Sequence, residues 1–174
     1  MNTSFEKELC SILVKNKVIT LQDSLDLQES FQNVSETSFD NFLVVEEIVS
    51  PEDLLKALSE YYGISSFNVV GHFFNHDLLV LFPKDVLLKH AVIPLESDGN
   101  MITFVTNNPH STEMQAELAE YTSSEIYFSV GIYQNILDAI GEYYDESLFS
   151  SNGDIDPADE EYEDDELISD ISEL

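Results

Sequence analysis

The stretch Phe42-Leu-Val-Val-Glu-Glu-Ile-Val-Ser50-Pro51-Glu-Asp53-Leu-Leu-Lys-Ala-Leu-Ser-Glu-Tyr-Tyr62-Gly63 decides the reading of this chain. Ser50 is placed to cap a helix, Pro51 falls where a first-turn proline is tolerated, and Asp53 lies three residues after the cap. Leu54, Leu55, Leu58, Tyr61 and Tyr62 then share one helical face, and Gly63 is suited to a left-handed stop. Working outward, the segment Phe82–Pro109 predicts a short helix, a hairpin and a Pro-containing loop. No element of it carries catalytic groups, and the pattern is that of a docking framework.

Upstream, residues 1–64 predict an all-helical subdomain. Phe5, Leu9, Ile12 and Leu13 form one apolar face, and Thr20 with Asp23 marks a second helix start. Glu8–Asp23 and Ser38–Asp53 read as an imperfect tandem repeat, each a helix, a β-branched stop and a capped second helix. Downstream, residues 65–146 change to a mixed pattern. Val92–Glu96 and Met101–Thr106 are strand-like around Asp98-Gly99, a pair that supplies the positive φ angles of a tight turn. A helix is expected near Ser111–Tyr121, a further strand at Ile126–Val130, and a last helix from Ile132 to Tyr144. Strand, helix, strand in that order implies a crossover back to the same sheet. The fold class is therefore α+β: duplicated helical hairpins, then a small α/β sandwich of about three strands and two to three helices. Residues 147–174 carry many acids and no lysine, the composition of a disordered linker or tail.

Charge removes whole classes of function. Thirty-five acids face six lysines and no arginine, a formal charge of −29. Phosphate contacts depend on Lys and Arg, so nucleic acid and anionic membranes are repelled. Cys10 is alone, which excludes an internal disulfide and suits a reducing compartment, with a small buried hydrophobe as its expected role. The N-terminus lacks a basic region followed by an apolar run, and no segment approaches a membrane span of about 20 apolar residues. The expectation is a cytoplasmic protein without direct membrane insertion.

Sites for chemistry are sparse. His72 and His76 are four apart, but no third ligand is placed to complete a zinc site, and the segment reads better as a linker and helix start. His90 and His110 are expected to be structural. Asp154 and Asp156 open like a calcium loop, but Ala158 and Asp159 break it. No nucleophile elbow and no G-x-x-x-x-G-K-[ST] loop is present, so neither hydrolase nor motor chemistry is expected and no cofactor or metal is assigned. Leu21, Leu25, Leu27 and Phe31 are too many for one buried stripe and form the candidate partner surface.

Phe42–Tyr144 resembles the N-terminal domain of the type II secretion and type IV pilus assembly ATPases. The resemblance rests on Ile48–Leu58, Tyr62-Gly63-Ile64, Phe82-Pro83, the His90–Pro109 hairpin and loop, and the closing Glu142-Tyr143-Tyr144. It implies a domain that couples the motor to an inner-membrane platform protein with a cytoplasmic domain, so that the chain is peripheral at the inner membrane through that partner. Some members bind cyclic di-GMP through two copies of a motif of the form RLGxxLxxxG(L/I)I. On that frame the Arg, first Gly and later Gly positions hold Glu8, Cys10 and Lys17, then Ser38, Asp40 and Glu47. Only the apolar frame matches: Leu9, Leu13, Val18 and Ile19, then Phe39, Leu43, Ile48 and Val49. A ligand with two phosphates needs cations and close backbone approach. The resemblance therefore implies a docking domain with degenerate nucleotide repeats. An altered cyclic di-GMP sensor and an acidic decoy or chaperone-like protein are the alternatives.

Overall fold

The computed structural model describes residues 3–32 and 37–150. The acidic segment beyond Ser150, with the Asp154–Asp159 stretch, lies outside the described residues.

Four helices form the first part: α1 (Thr3–Lys15), α2 (Leu21–Phe31), α3 (Phe39–Val45) and α4 (Pro51–Tyr62). Their ends follow from local chemistry. Thr20 caps α2 in a reciprocal box with Asp23: the Asp23 N–H donates to Thr20 Oγ1 at 3.1 Å, and the Thr20 N–H donates to Asp23 Oδ2 at 2.9 Å. Ser50 accepts from the Asp53 N–H at 3.1 Å, Pro51 opens α4, and Gly63 closes it at φ +69°.

The second part begins with two short helices, α5 (His76–Leu79) and α6 (Lys84–His90). The hairpin β1 (Val92–Asp98) and β2 (Met101–Thr106) follows, then α7 (Thr112–Leu118), β3 (Glu125–Val130) and α8 (Tyr133–Ser150). The last helix runs six residues past its expected end at Tyr144, so residues 147–150 continue it and do not belong to a disordered tail. The sheet order is β1-β2-β3, antiparallel then parallel, so α7 is the crossover that the second, parallel pairing requires. Gly99 turns the hairpin at φ +59°. Pro94 sits on the outer strand β1, where a missing N–H is tolerated, and the ladder slips between Pro94 and Glu96.

Two apolar clusters hold the chain. One joins the helices to the sheet around Phe82, Phe104, Met114, Leu118, Ile136 and Ile140, all buried. The other lies within the four helices around Leu9, Leu13, Leu43, Leu54 and Leu58. Val130 and Ile132, from the end of β3 and just after it, belong to this second cluster, and α4 packs on β3. The helical part therefore borrows core residues from the mixed part. Gly131, between them, has no room for a side chain, since a Cβ there would stand 2.6 Å from Val105 Cγ1.

Candidate functional site: the duplicated helical module

The repeat inferred from the sequence is a structural duplication with a spacing of 30 residues. Lys17 N–H donates to the Val14 carbonyl at 3.0 Å and Val18 N–H to the Leu13 carbonyl at 2.9 Å. Thirty residues on, Glu47 N–H donates to Val44 at 3.0 Å and Ile48 N–H to Leu43 at 3.0 Å. These are the paired bonds of a Schellman stop, and each needs a left-handed residue. Lys17 and Glu47 supply it at φ +61° and +55° although neither is glycine. The positions where the resembled motif carries its later glycine thus keep a glycine conformation under lysine and glutamate. Left-handed backbone costs an L-residue ~1–2 kcal/mol, offset in part by the lower chain entropy of a non-glycine residue. Lys17→Gly and Glu47→Gly are each expected to raise unfolding stability by about 0.5–1 kcal/mol. Urea denaturation at neutral pH measures it.

The remaining motif positions diverge. Glu8 is exposed and accepts from Ser4 Oγ at 2.7 Å. Cys10 is fully buried, and burial pushes its thiol pKa up, against smaller opposing contributions from Ser24 and Gln28. It is inert core, as expected of a lone cysteine in apolar surroundings. Its counterpart Asp40 is also buried, at 4% exposure. Burial drives the Asp40 carboxyl above the ordinary carboxylate range, with smaller opposing contributions from Ser38 and from the Asp40 and Asn41 backbone. Tyr62 is pushed up to about 12, first by burial and then by the Asp40 charge.

Asp40 makes stability depend on pH. The folded state holds its proton more tightly than the unfolded chain, so its contribution falls as pH rises from the ordinary value of 3.8 through the raised one. Asp40→Asn is expected to stabilise the protein at neutral pH and to flatten the loss of stability above pH 3.8. Urea midpoints at pH 4 and 7.5 measure it, and an unchanged difference between the two pH values would refute it.

No constellation of cations converges on these repeat ends among the described residues. Lys15 pairs with Glu60, to which Asn16 Nδ2 also donates at 3.1 Å, tying the end of α1 to α4. Lys56 pairs with Glu52 at 2.8 Å. Lys17 is exposed. The left-handed turns are present in both copies, while the cations that a phosphate needs do not gather at them among the described residues.

The candidate partner residues separate into two pairs. Leu27 and Phe31 are half-buried against the helical core, with the Phe31 ring 5.0 Å from Phe39 and 5.5 Å from Phe42. Leu21 and Leu25, one turn apart on α2, stand 68% and 56% exposed. In the second copy the counterpart of Leu25 is Leu55, at 8%. The same amphipathic hairpin is covered in one copy and open in the other.

The histidines do not meet. His72 lies in the loop against Phe67 and Phe74, His76 opens α5 beside Tyr143, and His110 packs on Tyr62. His90 does join a cluster that sequence spacing does not reveal. Its Nε2 lies 2.7 Å from Glu117 Oε2, beside Glu113. Lys89 Nζ already occupies the acidic pair, 2.7 Å from Glu117 and 3.0 Å from Glu113. The lysine ammonium holds Glu117 below its ordinary range, with His90 adding to it. The cluster is a clamp between α6 and α7 with its own internal cation.

Residues 75–150 match the MshEN domain family. The chain is 28% identical over 150 residues to the type IV pilus assembly ATPase PilB of Myxococcus xanthus (strain DK1622), an alignment covering 84% of this chain. Residues 75–150 are thus similar to MshEN domains, and the chain over most of its length is similar to a type IV pilus assembly ATPase. It spans 26% of the length of that PilB. In fold, it is similar to MshE with cdg at a TM-score of 0.62 and 14% identity, covering 78% of this chain and 98% of that one. The N-terminal domain of XpsE matches at a TM-score of 0.56 and 14% identity, covering 78% of this chain and 93% of that one. The region matched by the family is an N-terminal domain, distinct from the catalytic ATPase domain. No helix among the described residues is long and apolar enough to cross a membrane.

Proposed function

We propose that this chain is a non-catalytic docking domain of a bacterial secretion or pilus-assembly system. It couples the traffic ATPase motor to the cytoplasmic domain of the inner-membrane platform protein. The supporting observation is the unequal burial of the duplicated hairpins: Leu25 is 56% exposed where its counterpart Leu55 is 8% exposed. Leu21 and Leu25 form the centre of the contact, and Leu27 and Phe31 brace α2 from beneath. The domain acts in the cytoplasm and reaches the membrane through that partner. Its strongly acidic surface excludes nucleic acid as a ligand.

The test is titration of the full chain with the purified cytoplasmic domain of the platform protein. Leu21→Asp with Leu25→Asp is expected to weaken binding by about 30-fold or more, the scale of an interface hot spot. Stability should stay within about 0.5 kcal/mol of the parent, as for exposed substitutions. Unchanged affinity would remove α2 from the interface.

A second reading, a cyclic di-GMP sensor with an altered motif, is favoured by the fold shared with MshE with cdg and by the two retained Schellman turns. Against it stand Glu8 and buried Asp40 at motif positions, since phosphate beside carboxylate is repelled. Calorimetric titration with cyclic di-GMP discriminates, and saturable heat would revive the sensor.

A further inference from the structure

The sheet ends on an edge that the chain itself only begins to fill. Ser65–Phe67 lies beside the last residue of β3: Val130 N–H donates to the Ser65 carbonyl at 2.9 Å and Phe67 N–H to the Val130 carbonyl at 2.9 Å. Ser65 Oγ and Ser129 Oγ, 3.0 Å apart, fasten the strip. Beyond that point β3 has β2 on one side and, among the described residues, no strand on the other. Backbone groups alternate along a strand, so those of Phe128 and Ile126 face the same way as those of Val130, onto the open edge.

A groove of about 760 Å³ runs from this edge across the neighbouring sheet face. Phe67 and His72 form its wall and Thr103 and Tyr127 its floor, with Tyr127 50% exposed. Glu96 and Asp98 stand on its far side, both exposed, and neither makes an ion pair among the described residues. Glu125, outside the groove lining, accepts from the Tyr127 hydroxyl at 3.1 Å.

We infer that the β3 edge is a strand-addition site for an extended, lysine- or arginine-bearing segment of a partner protein. The segment continues the line that Ser65–Phe67 starts. Its backbone bonds to Ile126 and Phe128, and its alternate side chains cross Tyr127 toward Glu96 and Asp98. Main-chain bonds at a sheet edge give such contacts their affinity, and the groove beside the edge gives them their selectivity. The occupant is basic because the groove is acidic and lacks lysine. A second copy of the chain is disfavoured by the repulsion between two bodies of charge −29. The site is built from elements separate from α2 and stands independently of the docking proposed there.

The experiment titrates the isotope-labelled full chain with a blocked hexapeptide alternating lysine and valine. Comparison peptides carry glutamate for lysine, or N-methyl groups on alternate amides. The expected result is amide shifts centred on Ile126 and Phe128, binding that weakens with salt, and at least about tenfold loss on N-methylation of the edge-facing amides. Glu96→Gln with Asp98→Asn should cost a similar factor, whereas Leu21→Asp with Leu25→Asp should cost none. Equal binding of both N-methylated forms, shifts confined to α2, no saturable binding, or self-association that excludes the peptide would each overturn the inference.

Discussion

Replacing Phe104 by alanine is expected to cost about 3–5 kcal/mol of unfolding stability, the range for deleting a fully buried aromatic ring. Phe104 is 0% exposed at the centre of β2. Its ring meets Phe82 edge to face at 5.0 Å and lies 6.2 Å from Phe128. Alanine leaves a cavity between the sheet and the α5–α6 segment that neighbouring side chains cannot fill, since β2 is paired on both sides. Against a domain stability of about 5–15 kcal/mol, such a loss is a large fraction of the whole. Urea unfolding followed by far-UV circular dichroism measures it. A loss below about 1 kcal/mol would mean that this cluster is not packed as described.

Leu43→Ala, in the other cluster, is expected to cost about 2–5 kcal/mol. Leu43 is 0% exposed, and its carbonyl anchors the Schellman turn at Glu47. This substitution also tests how the chain is divided. We propose residues 1–64 and 65–146 as distinct parts of the architecture that nevertheless unfold together. The reason is that Val130 and Ile132 lie in the helical cluster and α4 packs on β3. On that account both substitutions shift one shared transition. If Leu43→Ala lowered an early phase and left a later one in place, the two parts would be thermodynamically separate.

Much of the fold was legible in the chain because its signals are local. A cap needs a hydroxyl and the N–H three residues on, so Thr20 and Ser50 announced their helices. A tight hairpin needs positive φ at its corner, so Gly99 announced the turn. The corner is Gly99-Asn100 and not Asp98-Gly99: Asp98 still pairs with Met101, and Gly99 alone of the two turn residues has positive φ. The duplication was visible through its apolar frame, and the structure adds that Lys17 and Glu47 hold a glycine conformation. Nothing in the sequence signalled that, because neither residue favours a left-handed turn. The pairing of Lys89 and His90 with Glu113 and Glu117 was equally hidden, since a distance across α6 and α7 has no local code.

The sequence by itself determined the capped helix starts at Thr20 and Ser50, the hairpin, the repeat, and the acidic composition. Each of these follows from neighbours a few residues apart or from composition. Only the tertiary structure decided which of two similar hairpins is covered. Leu25 and Leu55 occupy equivalent places on amphipathic helices, but α4 is packed against α1, α3 and β3, whereas α2 has its main contact with α1. The same holds for Asp40 and for the edge of β3. A carboxylate is buried, or a strand left unpaired, by elements distant in the chain, and burial is a property of the whole packing rather than of the residue.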